Sequence, residues 1–233
     1  MKIIFLLLFT HLIFSQDFVE KTATYGVKIV SDEQSTLEKH IKEQYPNFNK
    51  NVEELEFTLS FNKEKAVFET KNKLYTNPEA TEMGKAFVKA GITLYQNKDS
   101  IFSKAYDFEN KEYNLLSFKK INWEIINETK IINQLLCYKA IGVEETTNPK
   151  GVFKTNITAW FCPEIPYSFG PSGYGGLPGL IVELHNKRAV FGLNKITAED
   201  LNKKRLSFIK IKKYITEQDF QNIVNDFLKK QNN

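Results

Sequence analysis

The stretch from Thr158 to Glu183, TAWFCPEIPYSFGPSGYGGLPGLIVE, restricts what this chain can fold into more than any other. It carries five glycines (Gly170, Gly173, Gly175, Gly176, Gly179) and four prolines (Pro163, Pro166, Pro171, Pro178), and runs straight into an apolar strand. Each proline fixes φ and removes a backbone donor. Each glycine permits conformations that other residues avoid. Together they specify one irregular path between two strands. A phosphate cradle is rejected, because such a loop must open a helix and here a strand follows. Two readings of the aromatic residues remain. In the favoured one the segment is an ordered connection that closes one end of a sheet core. In the other it is a rim that presents Trp160, Tyr167, Phe169 and Tyr174 to a ligand or partner.

The rest of the chain reads as sheet with helices at its two ends. Strands are expected at Thr22–Val30, Glu54–Phe61 and Ala66–Thr70, where apolar residues alternate with period two. Ser35–Tyr45 is expected to be a helix, capped by Ser31 or Ser35 and stopped by Pro46. Residues 71–90 favour a surface loop. Asn77-Pro78-Glu79 can start a helix, but Gly84 and Gly91 weaken it. Further strands are expected at Ile92–Gln96, Ser100–Phe108, Leu115–Phe118, Asn122–Lys130, Leu135–Val143, Val152–Cys162, Leu180–His185, Ala189–Lys195 and Leu206–Tyr214. Thr216–Lys230 is the clearest helix, with Phe220, Ile223, Val224, Phe227 and Leu228 on one face and a Thr216/Asp219 cap. About ten strands and two helices imply one antiparallel, β-rich α+β domain.

Lys2, the apolar run Ile3–Leu8 and the small Ser15 resemble a secretory signal peptide, removed near Ser15/Gln16. This leaves residues 16–233 as one exported domain, periplasmic or secreted, with no later segment apolar enough to span a bilayer. The net charge of +4 is mild and mixed in sign, which gives no reason to invoke nucleic acid. Cys137 and Cys162 are the only cysteines, and in an exported protein such a pair can oxidise. If the hairpin between them is symmetric about Asn148, Cys137 faces Ala159. A bridge then needs an offset register. A disulfide and two buried thiols both stay open.

The residues offer thin material for catalysis. His40 is expected on an exposed helix face. His185 follows Glu183 by two, so both can face one side of a strand, where they are more often a solvated edge than half a metal site. Ser168 and Ser172 lack a nucleophile elbow. Glu164 and Glu183 form an acid–base pair only if folding unites them. No catalytic residue, metal or cofactor is assigned. The basic run Lys203–Lys213 is expected to be a protected sheet edge. Asp99-Ser100-Ile101 resembles a short O-glycosylation acceptor.

Gly176-Leu177-Pro178-Gly179-Leu180-Ile181 spells GLPGLI. With Trp123, Glu128-Thr129-Lys130, Cys137–Ala140, Ala159–Phe161, Glu164–Pro166 and Gly170-Pro171 in order before it, this pattern resembles the GLPGLI family of Bacteroidota envelope proteins. The resemblance covers about Trp123 to Glu183. It implies an antiparallel sheet curled into a half-barrel or bowl, with helices against it. Family members are often associated with outer-membrane import receptors, so such a receptor is an implied partner. The resulting expectation is a non-enzymatic envelope protein that binds an apolar or peptide-like ligand or docks on such a receptor. The alternatives are a hydrolase or a binding module of a hydrolase system, whose bowl-like domain looks similar in design, and a purely structural component.

Overall fold

The computed structural model describes residues 20–118, 121–148, 151–198 and 213–231. The expected leader and most of the expected strand Leu206–Tyr214, with the basic run around it, lie outside the described residues.

Among the described residues, twelve strands form one open, almost wholly antiparallel sheet, and four α-helices accompany it. The strands are β1 (Lys21–Ile29), β2 (Glu56–Phe61), β3 (Lys65–Thr70), β4 (Leu94–Asn97), β5 (Ile101–Tyr106), β6 (Glu112–Ser117), β7 (Glu124–Ile132), β8 (Leu135–Asn148), β9 (Gly151–Cys162), β10 (Leu180–His185), β11 (Ala189–Ala198) and β12 (Ile215–Thr216). Their order across the sheet is β12-β6-β5-β4-β3-β2-β1-β11-β10-β9-β8-β7. The chain therefore builds outward from a central β1, which pairs with both β2 and β11. Of these twelve, only the two-residue β12 runs parallel, beside β6. The fold class is the one expected from the sequence: an antiparallel sheet with helices near both ends of the chain.

Alternation sets the inner face. Ala23, Tyr25, Phe57, Leu59, Phe61, Phe68 and Phe191 fall on one side of their strands, and each is at most 1% exposed. Phe57 stacks on Phe68 at 5.3 Å and meets Phe191 edge-on at 5.5 Å. These rings give strong burial, of order 1.5–3 kcal/mol for each fully buried side chain.

Two helices missing from the sequence expectations cover one end of that face. Helix α1 (Thr36–Gln44) is capped by Ser35, whose Oγ accepts from the Glu38 amide at 3.2 Å, as expected. It is followed by α2 (Phe48–Glu53), in the stretch between Pro46 and Glu54 where no element was expected. Residues 78–87, expected to be loop, form α3 (Pro78–Phe87), with Asn77 accepting from the Ala80 amide. Gly84, which weakens helix propensity, is where the two helices touch: a Cβ there would lie 2.6 Å from Val52 Cγ2. Phe48 of α2 meets Phe87 of α3 edge-on at 5.6 Å. Close approach outweighs local propensity here. Helix α4 (Glu217–Gln231) has the expected cap, with the Asp219 amide donating to Thr216 Oγ1. Its Phe220 and Phe227 rings pack on Tyr113 and Phe108 at the β5–β6 edge.

The sheet curls. Trp123, at the head of β7, lies over β8: a Cβ on Gly142 would approach its ring to 3.1 Å. Its Nε1 donates to the Gly175 carbonyl at 2.9 Å. Gln96 of β4 donates to the Gly173 carbonyl, two residues away, at 3.3 Å. In a flat sheet β4 and β8 stand seven strand spacings apart, roughly 34 Å. Side chains cannot bridge that distance, so the two flanks bend toward each other.

Candidate functional site

The glycine-proline segment, residues 163–179, is a strap laid across the mouth of this curl. Its backbone bonds are internal or reach the strands. The Gly176 amide donates to the Ser168 carbonyl at 3.0 Å, Leu180 to Ile165 at 2.9 Å and Ile181 to Phe169 at 2.9 Å. Tyr25, wholly buried at the sheet centre, donates its hydroxyl to the Ile181 carbonyl at 2.7 Å. Burial pushes the Tyr25 hydroxyl far above the usual phenol range, so it stays a donor. A tight turn at Pro171–Gly173 holds Ser172 and Gly173 at φ 54° and 77°, and Gly176 sits at φ 87°.

The four aromatic residues singled out in sequence do not share one surface. Phe169 and Tyr174 are each 2% exposed and belong to the core. The Tyr174 hydroxyl donates to Glu144 Oε2 at 2.8 Å, tying the strap to β8. Burial, then the Glu144 carboxylate, raises its pKa strongly. Tyr167 packs edge-on against Phe61 at 5.0 Å, with the Lys21 ammonium 5.2 Å from its ring centre. Trp160 points the other way. Its neighbours Ala159 and Phe161 are buried on the inner face, so alternation places the half-buried Trp160 on the outer one. Of the GLPGLI residues, Leu177, Gly179, Leu180 and Ile181 are buried, while Gly176 and Pro178 are exposed.

On the outer face, strands β7–β10 assemble a charged and aromatic cluster. Trp160 pairs directly with Lys139 of β8 and with Glu183 of β10. The Lys130 ammonium lies 4.4 Å from the Trp160 ring centre and 2.7 Å from Glu183 Oε1. Lys139 stands 5.9 Å from the same ring and bonds Glu128 at 2.9 Å. His185 Nε2 meets Glu183 Oε1 at 2.5 Å, so Glu183 and His185 do face one side. Burial raises the Glu183 pKa, but the bonds from Lys130 and His185 outweigh it and hold the carboxyl below its ordinary 4.5. Glu183 is thus an ionised acceptor at neutral pH, a poor proton donor. Glu164 is exposed in the strap and His40 is exposed on α1. Among the described residues no three His, Cys, Asp or Glu side chains converge as a metal set.

Beside Trp160 the outer face is apolar. Ile141 and Val143 continue the Lys139 side of β8 and are 37% and 43% exposed. The β7–β8 turn, Asn133-Gln134, has both residues at positive φ, the geometry of a two-residue hairpin. Asn133 Nδ2 donates to the Leu193 carbonyl of β11 at 2.6 Å, so this turn folds back over the sheet. Nothing in the sequence spacing pointed to Lys130 and Lys139 as ring partners. The β7 bulge between Ile126 and Thr129, which shifts Lys130 into line with Cys137, was not visible in the alternation.

The β8–β9 register corrects one expectation. Asn148 pairs with Gly151, and Ala140, not Cys137, faces Ala159. The hairpin is therefore not symmetric about Asn148. Cys137 and Cys162 are thiols here, both fully buried.

Residues 144–183 match the family model described as "Protein of unknown function (Porph_ging)", a Bacteroidota-associated family. The match contains the GLPGLI residues. No curated protein matches the chain by sequence. A solved structure of PNGF-II resembles it with a TM-score of 0.53 and 12% identity, over 88% of this chain and 33% of that one. This chain therefore spans a third of the length of that protein. At this identity the likeness concerns the fold. Among the described residues no helix is long and apolar enough to cross a membrane.

Proposed function

We propose that this is a non-enzymatic protein of the bacterial envelope that docks on a protein partner, such as an outer-membrane import receptor, through the outer face of β7–β10. The observation that carries the reading is the Trp160 cluster: a half-buried indole beside Lys130 and Lys139 and next to exposed Ile141 and Val143. Tryptophan is enriched among the residues that anchor docking surfaces, and here it adjoins an exposed apolar margin, with the two lysines at the polar rim. The inner face is the weaker candidate, because the chain's own Phe57, Phe68, Phe191, Phe169 and Tyr174 occupy it. Export, and membership of the GLPGLI family as such, are parts of the same proposal. They draw on the N-terminal sequence and on the Bacteroidota-associated match over residues 144–183.

The test is quantitative crosslinking in envelopes that carry the full chain, comparing wild type with a Trp160→Ala, Ile141→Ser double variant. A specific partner recovered with wild type and lost with the variant, at equal abundance and melting temperature, supports docking here. A partner recovered equally with both sinks it.

A second reading, a module serving a glycan- or peptide-cleaving system, draws on the PNGF-II likeness, since there the shared fold takes up a third of a longer chain. Turnover of glycopeptides or peptides by the purified chain, lost on Glu183→Gln, would favour it. The ion pair that keeps Glu183 charged argues against an acid role for that residue.

A further inference from the structure

The corrected register sets two cysteines opposite each other on neighbouring strands. The β8–β9 ladder runs without a break to Tyr138↔Phe161, and one more step along both strands sets Cys137 against Cys162. The flanking strands continue the ladder on either side, Lys130 against Cys137 and Leu180 against Cys162. Directly opposed residues of an antiparallel pair project to the same face, with Cα atoms about 4.5 or about 5.5 Å apart according to pair type. Both separations fall in the range of about 4.4–6.8 Å that a disulfide accepts. The Cys137 thiol feels its neighbour: burial first, then Cys162, pushes it up to about 11.

Their position in the fold gives the pair a task. The strap leaves the sheet at Pro163, immediately after Cys162, and returns at Leu180, which pairs with Cys162. The Cys162 carbonyl accepts the first strap bond, from Ile165 at 3.2 Å. Cys162 is thus the root of the strap at both ends, and Cys137 is its neighbour on β8.

We propose that Cys137 and Cys162 form a cross-strand disulfide that fastens the root of the strap to β8. The chemistry is exchange with a small-molecule or protein disulfide. Each thiol loses its proton, the Cys137–Cys162 S–S bond forms, and the oxidant's S–S bond breaks and leaves as two thiols carrying the two electrons. Both side chains are 0% exposed in the folded protein, and a thiol with a raised pKa supplies little thiolate. Exchange therefore belongs to the folding chain, before the root closes. Once formed, the bond is shielded from reductants by the same burial.

The experiment uses the full chain in two preparations. One is isolated from an oxidising compartment. The other is reduced, unfolded and refolded with oxidised glutathione. Each is denatured without reductant in the presence of an alkylating reagent and weighed by mass spectrometry. The expected result is no alkyl group on either cysteine, a mass lower by two hydrogens than the reduced chain, and one peptide that links Cys137 to Cys162. Reduction under denaturing conditions followed by refolding in reductant should lower the melting temperature by about 7–14 °C, from the loop-closure entropy of a ring of about 25 residues. A Cys137→Ser, Cys162→Ser variant should lose that sensitivity to reductant. Two alkylated cysteines per chain in both preparations would overturn the proposal. So would glutathione adducts or chain-to-chain dimers in place of the internal link. The mass measurement needs no variant, so a variant that fails to fold does not rescue the idea.

Discussion

Gly179→Ala adds a single methyl group at the point where the strap rejoins the sheet. A Cβ there would lie 2.3 Å from the Cys162 carbonyl oxygen, 2.6 Å from its carbon and 2.9 Å from the Pro163 nitrogen. All three are backbone atoms, and real Cβ atoms essentially never approach closer than 3.0 Å. The strap root must therefore retreat by at least 0.7 Å, the difference between 3.0 and 2.3 Å. Overpacking of this kind costs about 1–3 kcal/mol. The adjoining Leu180–Ile165 and Ile181–Phe169 bonds, both 2.9 Å, are each worth about 1 kcal/mol if the shift breaks them. We expect a loss of about 3 kcal/mol, which is about 6–12 °C in melting temperature for a chain this size. Gly192→Ala is the control. It makes the same chemical change on β11 with nothing within 4 Å of the new carbon, and should stay within about 0.5 kcal/mol of wild type. Gly176→Ala separates geometry from contact: its φ is 87°, with only Trp123 Nε1 nearby at 4.0 Å. Its cost, about 1–2 kcal/mol, is conformational. Urea unfolding followed by tryptophan fluorescence and by far-UV circular dichroism would rank the three. A Gly179→Ala protein as stable as wild type, or a Gly192→Ala protein equally damaged, would refute the reasoning.

Other outcomes follow from the same geometry. Tyr25→Phe removes a buried donor from the Ile181 carbonyl and should cost about 1–2 kcal/mol in urea unfolding; no loss would mean that the strap is not held from the sheet centre. Tyr174→Phe should cost about 1 kcal/mol, because Glu144 is partly exposed and water can replace the lost donor. A Glu144→Gln partner variant should reduce that cost in a double-mutant cycle, and full additivity would deny the contact. Glu183 has a pKa lower in the folded protein than its ordinary 4.5. Its contribution is therefore complete above the unfolded value and lost as pH falls through the lower folded value. With Lys130 36% exposed, that contribution is on the order of 1 kcal/mol. Wild type and Glu183→Gln should differ in urea midpoint at neutral pH and converge in acid; parallel curves across the whole range would contradict the assignment.

The sequence disclosed the sheet because its signal is local. Leu55, Phe57, Leu59 and Phe61 alternate over a half-buried strand, and Phe220 to Leu228 recur at helical spacing over α4. Helices α2 and α3 were hidden for a physical reason. Their stability lies in the Val52–Gly84 approach and the Phe48–Phe87 ring contact, which unite residues far apart in the chain, while Gly84 alone argues against helix. Helix α2 is also a short piece, six residues long, below the length at which periodicity is readable. The structural use of the glycine-proline segment was legible from composition. Its anchors were not: Tyr25, Gln96, Trp123 and Glu144 come from four separate parts of the chain. The outer cluster was half visible, since Glu183 and His185 sit two apart on one strand. Lys130 and Lys139 entered only through strand register, and the same register error that set Cys137 against Ala159 concealed the Cys137–Cys162 pairing.

The central claim is that residues 163–179 form a rigid part of the core, held from both flanks of a curled sheet. Native-state hydrogen exchange of the peptide spanning Ile165–Ile181 tests it most directly. Under conditions where global unfolding is measurable, the amides of Gly176, Leu180 and Ile181 should exchange only with the central strands β1 and β2, at the free energy of global unfolding. Exchange of those three amides at the rate of an open loop, while β1 and β2 stay protected, would contradict the account.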